Sequence, residues 1–289
     1  MGKSKIYKKE IKGKYDTEIA FLEGPITRIF SVKNNDVKKI AWIHNDISQV
    51  FGNNIKAKVK KMIDKKIYFK YQELIFVSKD NLDKFNKMYP SINVEKKVIH
   101  NYIDKEEVLR KAEEKQEIEF DRNEFNLVTV TRLVEQKGID RLIDIHEKLI
   151  ENGIKHNIYV IGDGPEKEKL KNMIKEKQIE STFFLLGKQT NPYPYIKNAD
   201  YFCLLSRFEG YGMVIEEAKI LNKDIVITNT AAREAVEGYE KAIILNNNEE
   251  DIYLGLKEII QNYVKDTKNT TTQSIYDNEE IVKQVKEIL

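Results

Sequence analysis

The sequence predicts an α/β protein made of doubly wound parallel sheets. Short apolar runs alternate with longer amphipathic stretches along most of the 289 residues. Polar or glycine-containing motifs follow directly after several of these runs, and 41% of the residues are hydrophobic, which is enough for buried cores. Because such sheets bind ligands at the carboxyl ends of their strands, these motifs are the candidate functional residues.

The charge balance and the cysteine content narrow the class of protein. Charged residues make up 33% of the chain but nearly cancel to +2, which disfavours a general nucleic-acid binder. Cys203 is the single cysteine and cannot form an internal disulfide, as is usual in a reducing compartment. The chain has no apolar run of membrane-spanning length, and residues 1–14 lack the apolar core of a signal peptide. We therefore expect a cytoplasmic protein.

Residues 1–101 predict a first Rossmann-like domain. Helical stretches separate four predicted strands, at 18–22, 41–44, 74–78 and 97–101. His44 follows the second of these strands, where a histidine is either an ordinary polar loop residue or a functional one. His100, His146 and His156 have no motif around them.

Residues 102–125 are highly charged and predict an exposed helix and a linker between domains. The alternation then resumes and predicts a second Rossmann-like domain over residues 126–268, followed by a C-terminal helix over residues 269–289. The second domain has predicted strands at 126–131, 157–161, 183–186, 201–205, 224–228 and 242–245, and helices at 138–152, 166–177, 193–198, 213–221 and 250–264.

The stretch 206–218 places a glycine loop between a strand and a helix. Gly210 and Gly212 allow a tight turn, and the first N–H groups of the helix favour an anion such as a phosphate. Glu209 and Glu217 would be repelled by that anion, so we expect them to accept hydrogen bonds from hydroxyls of a ribose or a sugar. The remaining candidate residues of this loop and helix start are Tyr211, Met213 and Val214.

Two further motifs follow strands of the second domain. Arg132 and Lys137 flank the loop after its first strand, where both cations can converge on a diphosphate. The sequence Gly162-Asp163-Gly164-Pro165 ends the next strand, and Gly187 ends the one after it. The pattern G-x-G-x-x-G is absent, which argues against an NAD enzyme. No Asp-x-Asp and no His/Cys cluster with ligand spacing occurs, so no metal is expected.

The two glutamates in F-E-G-Y-G-M-V-I-E-E-A, the pattern R-x4-K-G at 132–138 and the G-x-G-P loop resemble the family-4 retaining glycosyltransferases, also called glycosyl transferases group 1. The resemblance implies the GT-B fold, in which two Rossmann-like domains face a cleft. It further implies a metal-independent enzyme of cell-surface polysaccharide synthesis, whose co-substrate is a nucleoside diphosphate sugar and which needs no other cofactor. The acceptor would be a hydroxyl of a glycan or lipid-linked glycan, and the anomeric configuration would be retained.

The resemblance also implies roles for single residues. Glu209 and His44 would lie at the donor sugar, and Glu217 would bind the ribose. Arg132 and Lys137 would neutralise the diphosphate, while the loops at Gly162, Gly164 and Gly187 would lie beside the nucleotide and its base.

One departure from the family concerns the N-terminus. Family members open with a strand, a glycine-rich loop and a helix before the Asp-x-Glu-Ile-Ala strand, which here begins at Asp16. We therefore expect an incomplete N-terminal domain, less protected from hydrogen exchange than residues 126–268. A non-catalytic or relic nucleotide-sugar-binding protein is the alternative function.

Residues 56–70 predict a basic amphipathic helix. Seven lysines flank an apolar stripe that comprises Val59, Met62, Ile63, Ile67, Tyr68 and Phe69. The stripe is either buried under a solvated basic face or in contact with anionic lipid at the inner face of the cell membrane.

Overall fold

The structure, a computed structural model, describes residues 2–34, 36–44, 47, 55–264 and 278–289, without the side chains of residues 55–58 and 60. It divides into two compact units. Unit 1 comprises Met1–Tyr102 and Asp277–Leu289, and unit 2 comprises Ile103–Tyr276. Both units alternate helices with parallel strands, which confirms the predicted α/β class.

In the described part of unit 1, four parallel strands pair in the order β1-β2-β3-β4. Numbered in chain order through the whole protein, the strands are β1 (Thr17–Ala20), β2 (Lys38–Ile43), β3 (Glu73–Phe76) and β4 (Glu95–Val98). The helices are α1 (Lys3–Glu10), α2 (Pro25–Phe30), α3 (Ile55–Tyr68), α4 (Lys79–Met88) and, at the C-terminus, α11 (Asn278–Ile288). All four strands were predicted, each to within a few residues of its bounds.

The core of unit 1 follows from the apolar runs of β2 and β3. Ile40 and Ile43 lie on opposite faces of the sheet and are both fully buried, as expected for a parallel strand covered on both sides. Helix α4 begins at Ser78, whose Oγ accepts a hydrogen bond of 3.1 Å from the backbone N–H of Asn81. This cap directs Phe85 of α4 onto Phe76 of β3.

In the described part of unit 2, six parallel strands pair in the order β10-β9-β8-β5-β6-β7. The strands are β5 (Asn126–Val130), β6 (Asn157–Ile161), β7 (Phe183–Gly187), β8 (Tyr201–Leu204), β9 (Asp224–Thr228) and β10 (Ala242–Leu245). The helices are α5 (Lys105–Ala112), α6 (Ile139–Glu151), α7 (Lys167–Glu176), α8 (Tyr193–Asn198), α9 (Met213–Ile220) and α10 (Glu249–Asn262).

The strand order of unit 2 determines where its ligand site can be. The chain moves outward from β5 through β6 to β7, and then returns to place β8 on the other side of β5. The loops after β5 and β8 therefore leave the sheet in opposite directions, and a crevice forms between them at the carboxyl ends of the strands.

Residues 103–125 are not a separate linker, in contrast to the sequence-based expectation. They belong to unit 2, where Val108 of α5 is buried and the ring of Phe120 stacks on Tyr159 of β6 at 4.0 Å. The few apolar side chains of this segment are enough to fix it on the core, while its charges stay at the surface. The predicted C-terminal helix is present as α11, and it belongs to unit 1.

Within the described residues, none of the helices combines the length and the apolar character that crossing a membrane requires.

Candidate active site

The candidate site in unit 2 is built from the loops that follow β5 and β8. The backbone N–H of Arg207 donates to the Gln136 carbonyl at 2.8 Å, and the Gln136 side chain donates to the Phe208 carbonyl at 3.0 Å. Arg207 also forms two parallel bonds to the Asp140 carboxylate, at 2.6 and 2.9 Å. These contacts lock the two loops together across the strand reversal.

The Arg207–Asp140 pair was not predicted from the sequence, although Arg207 lies within the stretch 206–218 that the sequence analysis singles out. Partial burial would raise the pKa of Asp140, but hydrogen bonding and charge attraction from Arg207 outweigh burial and lower it. The same hydrogen bond raises the pKa of Arg207. The pair is therefore ionised at neutral pH and positions the loop that carries Glu209.

Lys137 and Glu209, 72 residues apart in the sequence, form an ion pair at the centre of this site. The Glu209 side chain is 7% exposed and that of Lys137 is 18% exposed. Ser206 Oγ donates a second hydrogen bond of 2.9 Å to the same carboxylate oxygen of Glu209. The predicted phosphate-binding cation and the predicted sugar-binding carboxylate are thus partners of each other, so any anion that binds Lys137 would compete with Glu209.

The backbone around Lys137 depends on the glycine that follows it. Lys137 ends a single 3-10 turn, and Gly138 adopts the left-handed conformation with φ 67° before α6 begins. A Cβ atom at Gly138 would lie 2.8 Å from the Leu205 carbonyl oxygen. The missing side chain lets the loops after β5 and β8 approach each other and brings Lys137 to Glu209.

Arg132 lies in the same loop, directly after β5, and its side chain is exposed. Among the residues that the structure describes, no carboxylate forms an ion pair with it. Arg132 is therefore a cation available to a ligand, in contrast to Lys137.

Gly162 and Gly164 lie after β6 and pack against the Arg132 loop. A Cβ atom at Gly162 would lie 1.7 Å from the Thr131 carbonyl oxygen, and one at Gly164 would lie 2.3 Å from that of Leu133. The Leu133 N–H donates to the Asp163 carbonyl at 3.0 Å. The structure thus shows a packing role for these two glycines, which hold the loop that presents Arg132.

Gly187 ends β7 with φ 70°, and its carbonyl accepts the Gly162 N–H at 2.9 Å. A Cβ atom there would meet no atom within 4 Å. The space beside Gly187 is consequently free for a ligand.

Helix α9 begins at Gly212, which has φ 79° and ψ 66°. The partly buried Met213 and Val214 are its first residues, and N–H groups at this position have no acceptor within their own helix. Glu209 and the half-buried Gly210 precede this helix start on the same loop. The predicted strand, glycine loop and helix N-terminus are all present in the structure.

Tyr211 fixes the start of α9 through a buried hydrogen bond. Its hydroxyl donates to Glu216 at 2.7 Å, and Glu216 pairs with Lys219 at 2.8 Å. Both Tyr211 and Glu216 are buried, so of the adjacent Glu216 and Glu217 only the second is placed to reach a ligand.

Glu217 is partly buried on α9, where the hydroxyl of Tyr193 donates to its carboxylate at 3.3 Å. Burial raises the pKa of Glu217, and the bond from Tyr193 opposes that rise. Burial and the charge of Glu217 in turn raise the pKa of Tyr193 to about 12. Tyr193 starts α8 and was not identified in the sequence, because nothing in its local pattern indicates the contact with α9.

His44 lies in unit 1, at the carboxyl end of β2. Its ring contacts the Phe21 ring edge-on at 4.7 Å, and its backbone N–H donates to the Glu23 carboxylate at 3.2 Å. Burial lowers the pKa of His44, and the charge of Glu23 partly offsets that effect. His44 is therefore a half-buried member of an aromatic cluster with Phe21 and Trp42.

The described residues contain no group of three or more His, Cys, Asp or Glu side chains arranged to hold a metal ion.

Known proteins similar to this chain are glycosyltransferases. An uncharacterized glycosyltransferase of Methanocaldococcus jannaschii is 28% identical over 208 residues, which cover 71% of this chain and 51% of that protein. The N-acetylgalactosamine-N,N'-diacetylbacillosaminyl-diphospho-undecaprenol 4-alpha-N-acetylgalactosaminyltransferase of Campylobacter jejuni is 29% identical over 255 residues, which cover 85% of this chain and 67% of that enzyme. The chain thus spans about half to two thirds of the length of these relatives.

The crystal structure of Anabaena HepE in complex with UDP and glucose superimposes with a TM-score of 0.76 at 18% sequence identity. The superposition covers 99% of this chain and 80% of HepE, and it shows that the fold is GT-B. The profile of the family described as "Glycosyl transferases group 1" matches residues 110–277, more than half of the chain, and these residues include Arg132, Lys137, Glu209 and Glu217. The chain belongs to the glycosyl transferases group 1 family.

Proposed function

We propose that the protein transfers a sugar from a nucleoside diphosphate donor to a hydroxyl of a glycan or lipid-linked glycan, with retention of configuration. The observation that carries the proposal is the Lys137–Glu209 pair beside the N-terminus of α9, with Glu217 further along that helix. A cation, a helix N-terminus and two carboxylates match the phosphates and hydroxyls of a nucleotide sugar. Family membership supports the same reaction class.

The diphosphate would bind to Arg132, Lys137 and the first N–H groups of α9. When the bond to the sugar breaks, negative charge grows on the departing diphosphate, and fixed positive charges at that place lower the barrier. Glu217 would accept a hydrogen bond from the ribose, and Glu209 from the donor sugar. We propose no cofactor besides the nucleotide sugar, and we propose that His44 of unit 1 also has a functional role in the reaction.

The names of relatives support a place in cell-surface polysaccharide synthesis. The Campylobacter jejuni relative acts on a diphospho-undecaprenol-linked sugar, and an Escherichia coli relative, 26% identical over 200 residues, is an O-antigen biosynthesis glycosyltransferase. A lipid-linked or polymeric glycan acceptor is therefore the substrate class that we propose, and the protein would work at the cytoplasmic face of the membrane.

Single substitutions of the two glutamates test the proposed division of roles. Glu217→Ala is expected to weaken UDP binding by about 1.5–3 kcal/mol, the usual loss for a hydrogen bond to a charged group. Glu209→Ala frees Lys137 from its internal partner, so binding of UDP should stay the same or tighten while sugar transfer falls. Calorimetry with UDP and a radiolabelled-sugar transfer assay measure the two effects.

Glu176→Ala, an exposed glutamate at the end of α7, is the matched control and should change neither quantity. If Glu209→Ala and Glu217→Ala have the same effect on UDP affinity and on transfer, the separate roles are wrong. Normal UDP binding without transfer to any acceptor in the wild-type chain would favour the alternative, a non-catalytic nucleotide-sugar-binding protein.

We further propose that α3 contacts anionic lipid. Only part of its apolar stripe is buried, namely Ile67 and Tyr68, whereas Val59, Met62, Ile63 and Phe69 are 45–63% exposed. Lys61, Lys65 and Lys66 of the helix lie among them, and each lysine near an anionic surface contributes about 1 kcal/mol. The side chains of Lys56, Lys58 and Lys60, which flank the same predicted stripe, fall outside the described residues.

Co-sedimentation with phosphatidylglycerol vesicles tests this contact. Met62→Glu/Ile63→Glu is expected to reduce vesicle binding about tenfold or more, because it replaces inserted apolar groups by charges that the lipid repels. Leu254→Glu alters a similarly exposed apolar residue of α10 in unit 2 and should leave binding unchanged. Equal vesicle binding by all three proteins would contradict the proposal.

A further inference from the structure

Unit 1 contains a cavity of about 530 Å³ at the end of its sheet opposite to His44. The cavity lies at the amino ends of β2 and β3, since Lys39 is the second residue of β2 and Gln72 directly precedes β3. It is lined by Ser31, Val32, Lys33, Asn34, Lys39, Lys70 and Gln72. The volume is sufficient for a small organic ligand.

The described lining of this cavity includes three lysines and no carboxylate. Lys39 is buried, and its positive charge is balanced by the carboxylate of Glu18, to which its Nζ donates at 2.7 Å. Lys33 and Lys70 are exposed. A further lysine reaches the cavity from α1, where Lys3 Nζ donates to Ser31 Oγ at 3.0 Å.

The ammonium groups of Lys3 and Lys70 lie close enough to affect each other. Desolvation, followed by charge repulsion from Lys70, lowers the pKa of Lys3. Two like charges held together without a carboxylate between them are stabilised by an anion that binds both.

The neutral groups of the lining leave hydrogen-bond donors for a ligand. The Asn34 side-chain oxygen accepts the Asp36 N–H at 3.3 Å, and the Gln72 oxygen accepts the Lys39 N–H at 2.8 Å. Among the described residues, the NH₂ groups of these two amides have no acceptor, so both remain to donate. Ser31 already donates its own proton to the Arg28 carbonyl at 2.8 Å. The wall thus offers positive charge and N–H donors.

We propose that this cavity binds the phosphate group of a small phosphate ester. The ester is either a free molecule in solution or the headgroup of an anionic lipid. Lysine binds phosphate as a point charge, and the space beyond one phosphate accommodates a glycerol-sized substituent. The proposal is independent of sugar transfer, because every residue of this site lies in unit 1 and none of them belongs to the proposed donor site.

Glycerol 3-phosphate in a phosphate-free buffer is the soluble probe. Its affinity for the whole chain, measured by calorimetry, is expected to fall about tenfold or more in Lys3→Gln/Lys70→Gln, since two charged contacts are lost. Without any anion, Lys70→Gln should melt at a higher temperature than the wild type, because the repulsion on Lys3 is removed. A purely structural role for Lys70 would give the opposite shift.

Lys87→Gln removes an exposed lysine of α4 away from the cavity and should behave as the wild type. UDP affinity, measured on the same samples, should be equal in the wild type and in the three variants. Loss of UDP binding in all of these proteins would contradict the proposed donor site, but it would not contradict the proposed anion site in unit 1.

Binding to phosphatidylglycerol vesicles tests whether the ligand is a lipid headgroup. Lys3→Gln is the variant for this experiment, because Lys3 lies on α1 and not on α3, the helix for which we propose lipid contact. Weaker vesicle binding by Lys3→Gln, relative to Lys87→Gln, identifies a lipid headgroup as the ligand. Unchanged vesicle binding together with lysine-dependent binding of glycerol 3-phosphate identifies a free phosphate ester. If neither probe binds in a manner that depends on Lys3 and Lys70, the site does not exist.

Discussion

Replacement of Lys137 by Ala is expected to lower both nucleotide affinity and stability. The loss of a charged contact to the diphosphate should weaken UDP binding by about 1.5–3 kcal/mol. The same change leaves the carboxylate of Glu209, 7% exposed, without its counter-charge. Breaking one side of a buried ion pair costs about 3 kcal/mol of unfolding free energy, at the lower end of the usual range. The motif alone gives no reason to expect this loss of stability, because only the structure shows that Lys137 has a partner within the protein.

Arg132→Ala is the matched control for this experiment. Arg132 is exposed in the same loop, so its loss should weaken UDP binding on the same scale and leave the melting temperature nearly unchanged. Calorimetry with UDP and denaturant unfolding give the two quantities for each protein.

A double variant separates the two effects of Lys137. Lys137→Ala/Glu209→Gln also removes the unpaired negative charge of Glu209. Compared with Lys137→Ala, it should therefore regain most of the lost stability but not the lost UDP affinity. Should Lys137→Ala unfold at the same denaturant concentration as the wild type, the ion pair does not stabilise unit 2. Should it bind UDP normally, Lys137 is not a phosphate ligand.

Acidification below about pH 6.5 is expected to destabilise unit 2 strongly because of two buried histidines. His146 and His156 are 0% and 1% exposed, and their rings are joined by a hydrogen bond of 2.8 Å. His146 also bonds to Thr182 Oγ1 at 2.9 Å, and His156 to the Ile154 carbonyl at 2.9 Å. Since His156 Nδ1 must donate to that carbonyl, its Nε2 accepts from His146 Nδ1. This arrangement requires the ring of His156 to be neutral, and burial of the His146 ring keeps that ring neutral as well.

Burial, together with the neighbouring His156 ring, lowers the pKa of His146 to about 3, and burial lowers that of His156 to about 4. The unfolded chain binds these protons at about pH 6.5, whereas the folded chain does not. The stabilising contribution is therefore complete above that pH and is lost as the pH falls towards the folded values. At about 1.4 kcal/mol per pH unit for each ring, the loss by pH 5 is about 4 kcal/mol.

The slope of unfolding free energy against pH between about 6 and 4.5 measures this effect, and it should correspond to uptake of about two protons on unfolding. His156→Asn is expected to reduce the slope by about one proton, and His100→Gln, in unit 1, serves as the control. A slope that is the same in wild type and His156→Asn would show that His156 is not kept neutral by the fold.

Much of the fold was predictable because the relevant signals are local. The strands of both units were predicted to within a few residues from short apolar runs, and the start of α9 from its two glycines. Gly138 and Gly212 do adopt positive φ values. Turn chemistry and strand periodicity depend on neighbouring residues alone, so they can be read without knowledge of the fold.

The sequence by itself therefore determined the order of strands in this protein, the loops that end those strands and the residue types available there. Only the tertiary structure decided which of these residues meet. The pairing of Lys137 with Glu209, of Tyr193 with Glu217 and of His146 with His156 depends on β8 lying beside β5 and on helices packed from distant parts of the chain. Strand order and helix packing are set by the burial of whole faces in a shared core, and no local pattern of residues encodes that choice.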